Sequence, residues 1–230
     1  MRTTETRWLA ALLFAAAPCL AAAPAAHSEP FIDLYGGWSQ TRSTDVSASQ
    51  RTCLLLGCTS TAQTTQPVAF RSGLSVGLRG GFWLERLPWL GLAGDLSYFE
   101  TASQAVQLDS VALAATPMAR LLLFSTPDRP RGRLQPYVGV GPTLVFHQVS
   151  ADFRPASPIT LSGWSPAVGW TARAGVAVPL SERLAVFSEW RLSQDRVALR
   201  HTGLFGVGDQ GRLDLTQTTQ HYLFGLSYRF

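Results

Sequence analysis

Eight charged residues, Asp33, Arg79, Asp95, Arg120, Arg173, Glu189, Arg191 and Arg229, set the chemistry open to this chain. Each lies in a segment where large apolar residues occupy every second position, and each falls on the other parity, among Gly, Ser and Thr. That is the pattern of β-strands, whose successive side chains point to opposite faces. Five guanidinium groups and three carboxylates must then share whatever interior the polar faces enclose. An unpaired charge there costs several kcal/mol, so the set is expected to interlock as ion pairs. Asp33 with Arg229 is the first pair expected, and Glu189 is expected between Arg173 and Arg229.

Other reactive side chains are sparse. The four histidines are His27, His147, His201 and His221. His147 precedes Ser150 and His201 adjoins Thr202, but a nucleophile needs a base within hydrogen-bond reach and a third group to orient it, which spacing alone does not supply. No catalytic residue is assigned. Cys53 and Cys58 are a local CxxxxC pair with no His or acidic cluster beside it, so a disulfide is expected rather than a metal site, and no cofactor is implied. Every basic residue is Arg, and the formal charge is +4. The arginines are dispersed, without a basic run, which gives no reason for a nucleic-acid partner. Arg42, Arg51, Arg154, Arg196, Arg200 and Arg212 fall in polar stretches and read as a solvated surface, with recognition of phosphate groups as the alternative.

The elements that position these residues are eight alternating segments: 31–40, 71–83, 90–99, 111–124, 135–148, 167–179, 184–193 and 221–230. Long polar connections follow the first, third, fifth and seventh, including Thr41 to Phe70 and Gln194 to Thr219. Short ones follow the second, fourth and sixth. Pro117 and Pro142 remove ladder donors, so irregular pairing is expected there. In the seventh segment Phe187 lands on the polar parity and Ser188 on the apolar one. The last segment alternates without a break, with Tyr222, Phe224, Leu226, Tyr228 and Phe230 on one face and Leu223, Gly225, Ser227 and Arg229 on the other. The pattern predicts an all-β fold, an eight-stranded antiparallel up-and-down transmembrane β-barrel with apolar residues toward lipid and both termini periplasmic.

Residues 1–26 carry Arg2 and Arg7, an apolar run from Trp8 to Leu20 and a small-residue stretch, which reads as a secretory signal peptide ahead of a barrel domain over 27–230. No later run approaches the roughly 20 apolar residues of a membrane helix. An apolar content of 46% against 15% charged residues suits a wall that faces lipid.

The segments PYVGVGPTLVF and WTARAGVAVPLSERLAVFSEWRLS, with the terminal HYLFGLSYRF, resemble the OmpA-like and related small outer-membrane β-barrel family. The likeness runs over the whole chain after residue 26. It implies location in the bacterial outer membrane, contact with its lipid and lipopolysaccharide, and a monomer. It further implies that the barrel assembly machinery reads Tyr222, Phe224, Leu226, Tyr228 and Phe230. The family hosts structural proteins, adhesins and a few enzymes, so fold does not fix activity. A structural or surface-interaction barrel with a side-chain-filled lumen is the reading preferred. A small channel or transporter for small or hydrophobic molecules and a lipid A-modifying enzyme are the alternatives, although no His, Ser, Asn run of the lipid A deacylase is present.

Overall fold

The computed structural model describes residues 28–54, 57–126, 132–153, 160–201 and 208–230. The signal-peptide segment lies outside them. Ten strands form in chain order: β1 (Ser28–Thr41), β2 (Thr44–Leu54), β3 (Gly57–Val68), β4 (Gly73–Leu84), β5 (Leu90–Ala102), β6 (Val106–Arg120), β7 (Gln135–Asp152), β8 (Thr160–Pro179), β9 (Leu184–His201) and β10 (Gly208–Arg229). Every pairing is antiparallel, and β1 joins both β4 and β10, which closes the wall. β2 and β3 add no new line. β2 continues β1 along β10 past an irregularity at Arg42 and Ser43, and β3 runs into β4 in one register with the β1–β4 pair. Eight strand lines therefore make a closed barrel, a size whose interior side chains can fill.

Alternation places Ile32, Leu34, Trp38, Leu92, Leu113, Val138, Leu144, Val168, Trp170, Phe224 and Phe230 on the exposed outer face. Asp33, Arg79, Asp95, Arg173, Glu189 and Arg191 are buried on the inner one. On β10 the outward apolar run from Tyr222 to Phe230 covers about 26 Å of strand at about 3.3 Å per residue. At the usual barrel tilt that is about 20 Å of height, near the apolar band of a membrane barrel. No described helix is long and apolar enough to cross a membrane, which says nothing about strands.

The connections expected as loops are shorter than the sequence suggests. Thr41 to Phe70 is mostly the β2–β3 hairpin, β9 runs to His201 and β10 starts at Gly208. The cause is an apolar core at that end. Val46, Ala48, Val68, Val106, Leu108, Val149, Ala151, Val197, Leu199, Leu213 and Leu215 are buried together. The β8–β9 ladder stops at Gly169 and Asp195, and β5 stops at Ala102. Beyond those points β6 and β7 contribute Val106, Leu108, Val149 and Ala151 to this core, and β9, β10, β2 and β3 contribute the rest named here.

At the two prolines, the β6–β7 ladder is missing over residues 115–117 and 140–142 while the register on either side is the same. In that register Pro117 stands opposite Val140 and Pro142 opposite Ala115, so two neighbouring ladder donors are lost. Cys53 and Cys58 are direct partners across β2 and β3. Their side chains lie outside what is described. Opposed cross-strand positions lie within the Cα range of a disulfide, so we expect protein isolated without reductant to resist alkylation at both thiols. Labelling of both before reduction would contradict the bond.

Candidate functional site

The inward charges meet at mid-barrel because the register makes them neighbours. Asp33 on β1 is the direct partner of Arg79 on β4, and Arg79 of Asp95 on β5. The Arg79 Nε donates to Asp33 Oδ2 at 2.6 Å, and its Nη1 donates to Glu189 Oε2 across the lumen. Arg191 donates to both oxygens of Asp95, at 3.1 and 3.0 Å, and through Nη2 to Glu189 Oε1 at 2.8 Å. Arg173 donates to Asp95 Oδ2 at 3.3 Å and to Thr116 Oγ1 at 3.1 Å. Three guanidinium groups thus face three carboxylates, and Coulomb attraction offsets desolvation only because nearly every oxygen also accepts hydrogen bonds.

Two phenols complete the belt. The Tyr35 hydroxyl donates to Asp95 Oδ1 at 2.7 Å, and the Tyr137 hydroxyl to Glu189 Oε2 at 2.8 Å. Each aromatic needs the space a missing side chain leaves. Tyr35 is the direct partner of Gly77, Tyr137 of Gly175, and Phe187 of Gly225. A Cβ on Gly77 would lie 2.3 Å from the Tyr35 hydroxyl, and one on Gly225 would lie 2.6 Å from Phe187. This explains why Phe187 points inward: its ring lies over Gly225, 5.0 Å beneath the Arg79 guanidinium.

The expected pairing partners are corrected here. Asp33 is held by Arg79. Arg229 lies nearer the terminal end, opposite Phe31, and engages Glu29 at 3.4 Å and Gln135 at 2.6 Å. Glu189 sits between Arg79 and Arg191, with Arg173 3.9 Å away. Arg120 reaches Glu29 at 2.9 Å and lies 4.2 Å over the Trp83 ring. Glu29 was not among the expected residues, although it shares the parity of Phe31 and Asp33.

On the far side of the belt a second network crosses the lumen. The His147 Nδ1 lies 2.8 Å from Ser110 Oγ, and its Nε2 lies 2.7 Å from Asp195 Oδ2. The residue types are those of a hydrolytic relay, with the ring nitrogens exchanged relative to the usual arrangement. Ser110 and His147 are wholly inaccessible, with the apolar core on one side and the ionic belt on the other. A substrate carbonyl has no approach to Ser110, and the arrangement acts as a cross-brace between β6, β7 and β9. His221 is held similarly between Ser75 at 3.2 Å and Ser193 at 3.1 Å.

Two small cavities lie among the described inward side chains. One cavity of about 20 Å³ lies against Arg79, Phe187 and Arg229 toward the terminal end, and another of about 20 Å³ lies against Asp95, Thr143 and His221. Each has room for about one water. Among the described residues no group of three metal-ligating side chains is present. Of the arginines expected in loops, Arg42 is exposed between β1 and β2, Arg196 is exposed on β9, and Arg212 is exposed on β10 and donates to Asp214 at 3.3 Å.

No family model matches this chain, and no curated protein matches it in sequence. Solved structures similar to it include the outer membrane protein OprG from Pseudomonas aeruginosa, at 13% identity and a TM-score of 0.49, covering 89% of this chain and 97% of that one. The solid-state NMR structure of outer membrane protein AlkL is similar at 12% identity and a TM-score of 0.47, over 90% and 93% of the two chains. Neisserial surface protein A is similar at 13% identity and a TM-score of 0.41, over 84% and 96%. The closed antiparallel wall of eight strand lines, its apolar outer belt and its charged, side-chain-filled interior together give this chain the architecture of the small outer-membrane β-barrels.

Proposed function

We propose that this chain is a resident of the bacterial outer membrane with a structural or surface-interaction role and a lumen that conducts nothing. The observation that carries the reading is the wall-to-wall belt of Asp33, Arg79, Asp95, Arg173, Glu189 and Arg191, with about one water's space on either side. A signal peptide over 1–26 directs export. The termini face the periplasm, and the apolar core of the far end holds the β2–β3 hairpin and its neighbours clear of the membrane, toward lipopolysaccharide and the surroundings. The barrel acts as a monomer. Single-channel recording of the refolded protein in a planar bilayer tests the reading. It should show no steady conductance above the bare membrane, and steady openings would promote the channel alternative instead.

The assembly machinery is the second proposed partner, through Tyr222, Phe224, Leu226, Tyr228 and Phe230. Phe230 is 64% exposed, and its ring packs edge-on against Tyr228 at 5.1 Å. Removing it uncovers little of the folded barrel, so deletion should leave the in vitro unfolding midpoint near wild type while lowering outer-membrane levels several-fold in cells. Normal levels after deletion would contradict a recognition role.

A further inference from the structure

The β2–β3 hairpin leaves one long edge uncovered. β3 pairs with β2, and among the described residues no strand lies on its other side. That side belongs to the line of β5, which ends early. Arg71 donates its backbone N–H to the Ala102 carbonyl at 2.8 Å, and the chain then turns through Ser103 into β6. Above this bridge the 12 residues of β3 run on. At about 3.3 Å per residue they make an edge about 40 Å long.

Unpaired N–H and C=O groups on an edge are a template for another strand, and native edges are blunted by charge or proline. The two other edges that part at this end are blunted in that way. β8 and β9 separate beyond Gly169 and Asp195, where β8 carries Pro166 and β9 carries Arg196 and Arg200. Pro166 has no N–H to give Ala198, its counterpart in the register, and the Ala198 N–H donates to Ser165 Oγ at 3.2 Å. In β3, Pro67 stands one residue from the β4 end, and residues 57–66 hold neither proline nor charge.

The uncovered side also opens onto apolar surface. Val46 and Val68 are buried in the far-end core, whereas Phe70 and Ala105, packed against it, are half-buried where the line of β5 stops. A strand that carried this line onward would lay every second side chain over that rim.

We propose that β3 accepts an extended segment of another protein as an added antiparallel strand, with apolar residues at alternate positions toward the core. The inference deepens the surface-interaction role and rests on the membrane placement proposed above. Backbone complementarity makes the occupant a strand. A second copy in the same membrane does not fit. A half-turn about the membrane normal would set the core face of one hairpin beside the outer face of the other.

Backbone hydrogen exchange, followed by NMR of the full-length barrel refolded in lipid nanodiscs, tests the proposal. Without a partner the β3 amides should alternate, those bonded to β2 exchanging slowly and those on the open side fast. The probe is a short peptide of alternating valine and threonine with a lysine at each end. At saturation it should slow the fast set about tenfold, the scale of one net hydrogen bond, and leave the slow set unchanged. The same peptide N-methylated at every amide, or with glutamate in place of valine, should slow nothing. Uniformly slow exchange along β3 before the peptide is added, unchanged exchange after it, or equal protection by either control would overturn the inference. So would fast amides that slow only when two barrels share a disc, which assigns the edge to a second copy. Failure to enter the nanodisc sinks the membrane placement, whereas a barrel that enters and shows none of this protection sinks only this proposal.

Discussion

Glu189→Ala should lower the unfolding free energy by about 3–5 kcal/mol, the cost of leaving a buried ionic partner uncompensated. Glu189 accepts from Arg79, from Arg191 and from the Tyr137 hydroxyl, and all four groups are buried. Truncation removes one charge of the three that balance Arg79, Arg173 and Arg191, and a water that enters the vacated space brings no charge to replace it. Urea unfolding of the barrel in lipid vesicles reads the effect as a lower midpoint at an unchanged slope. A wild-type midpoint would mean that solvent already reaches the belt.

Gly77→Val is the second large effect, about 3 kcal/mol or more. The side chain would enter the volume of the Tyr35 hydroxyl and press on the Leu96 carbonyl, 2.7 Å from the new Cβ. Overpacking alone costs about 1–3 kcal/mol. Displacing Tyr35 also breaks its bond to Asp95 and its contact with Arg191, 3.1 Å away, and hydrogen bonds to charged groups contribute about 1.5–3 kcal/mol. The control is Gly36→Ala, where a Cβ meets Val76 at 3.6 Å and the Ser75 carbonyl at 3.9 Å, both ordinary contacts, so its midpoint should stay near wild type. Equal effects from the two would show that glycine content matters here and packing on Tyr35 does not.

The membrane belt was legible because its alternation pairs large apolar residues with Gly, Ser, Thr and charge, and parity alone assigns Asp33, Arg79, Asp95, Arg173, Glu189 and Arg191 to one face. Parity gives a face but no height. Asp33 and Arg229 are on adjacent lines, yet Asp33 stands opposite Ser227 and Arg229 opposite Phe31, which sends Arg229 toward Glu29 instead. The far end was misread as loop because Ser, Thr and Gln dominate its composition. The signal was still present: Val46 with Ala48, Val197 with Leu199, and Leu213 with Leu215 keep the period of two that buries them together. The His147 brace was not legible, since Ser110, His147 and Asp195 come from three separate strands and only register brings them within reach. Phe187 looked misplaced until its partner glycine was known.

The inward arginines are ion-paired within the barrel, and water should reach them slowly. The direct measurement is hydrogen exchange at the arginine Nε–H groups, followed by nitrogen-15 NMR of the refolded barrel in lipid. The Nε–H of Arg79 donates to Asp33 and that of Arg191 to Glu189, and both side chains are buried. Their signals should be resolved and should exchange orders of magnitude more slowly than that of Arg196, which is 70% exposed. Exchange of Arg79 and Arg191 at the rate of Arg196 would place water throughout the lumen and contradict the account.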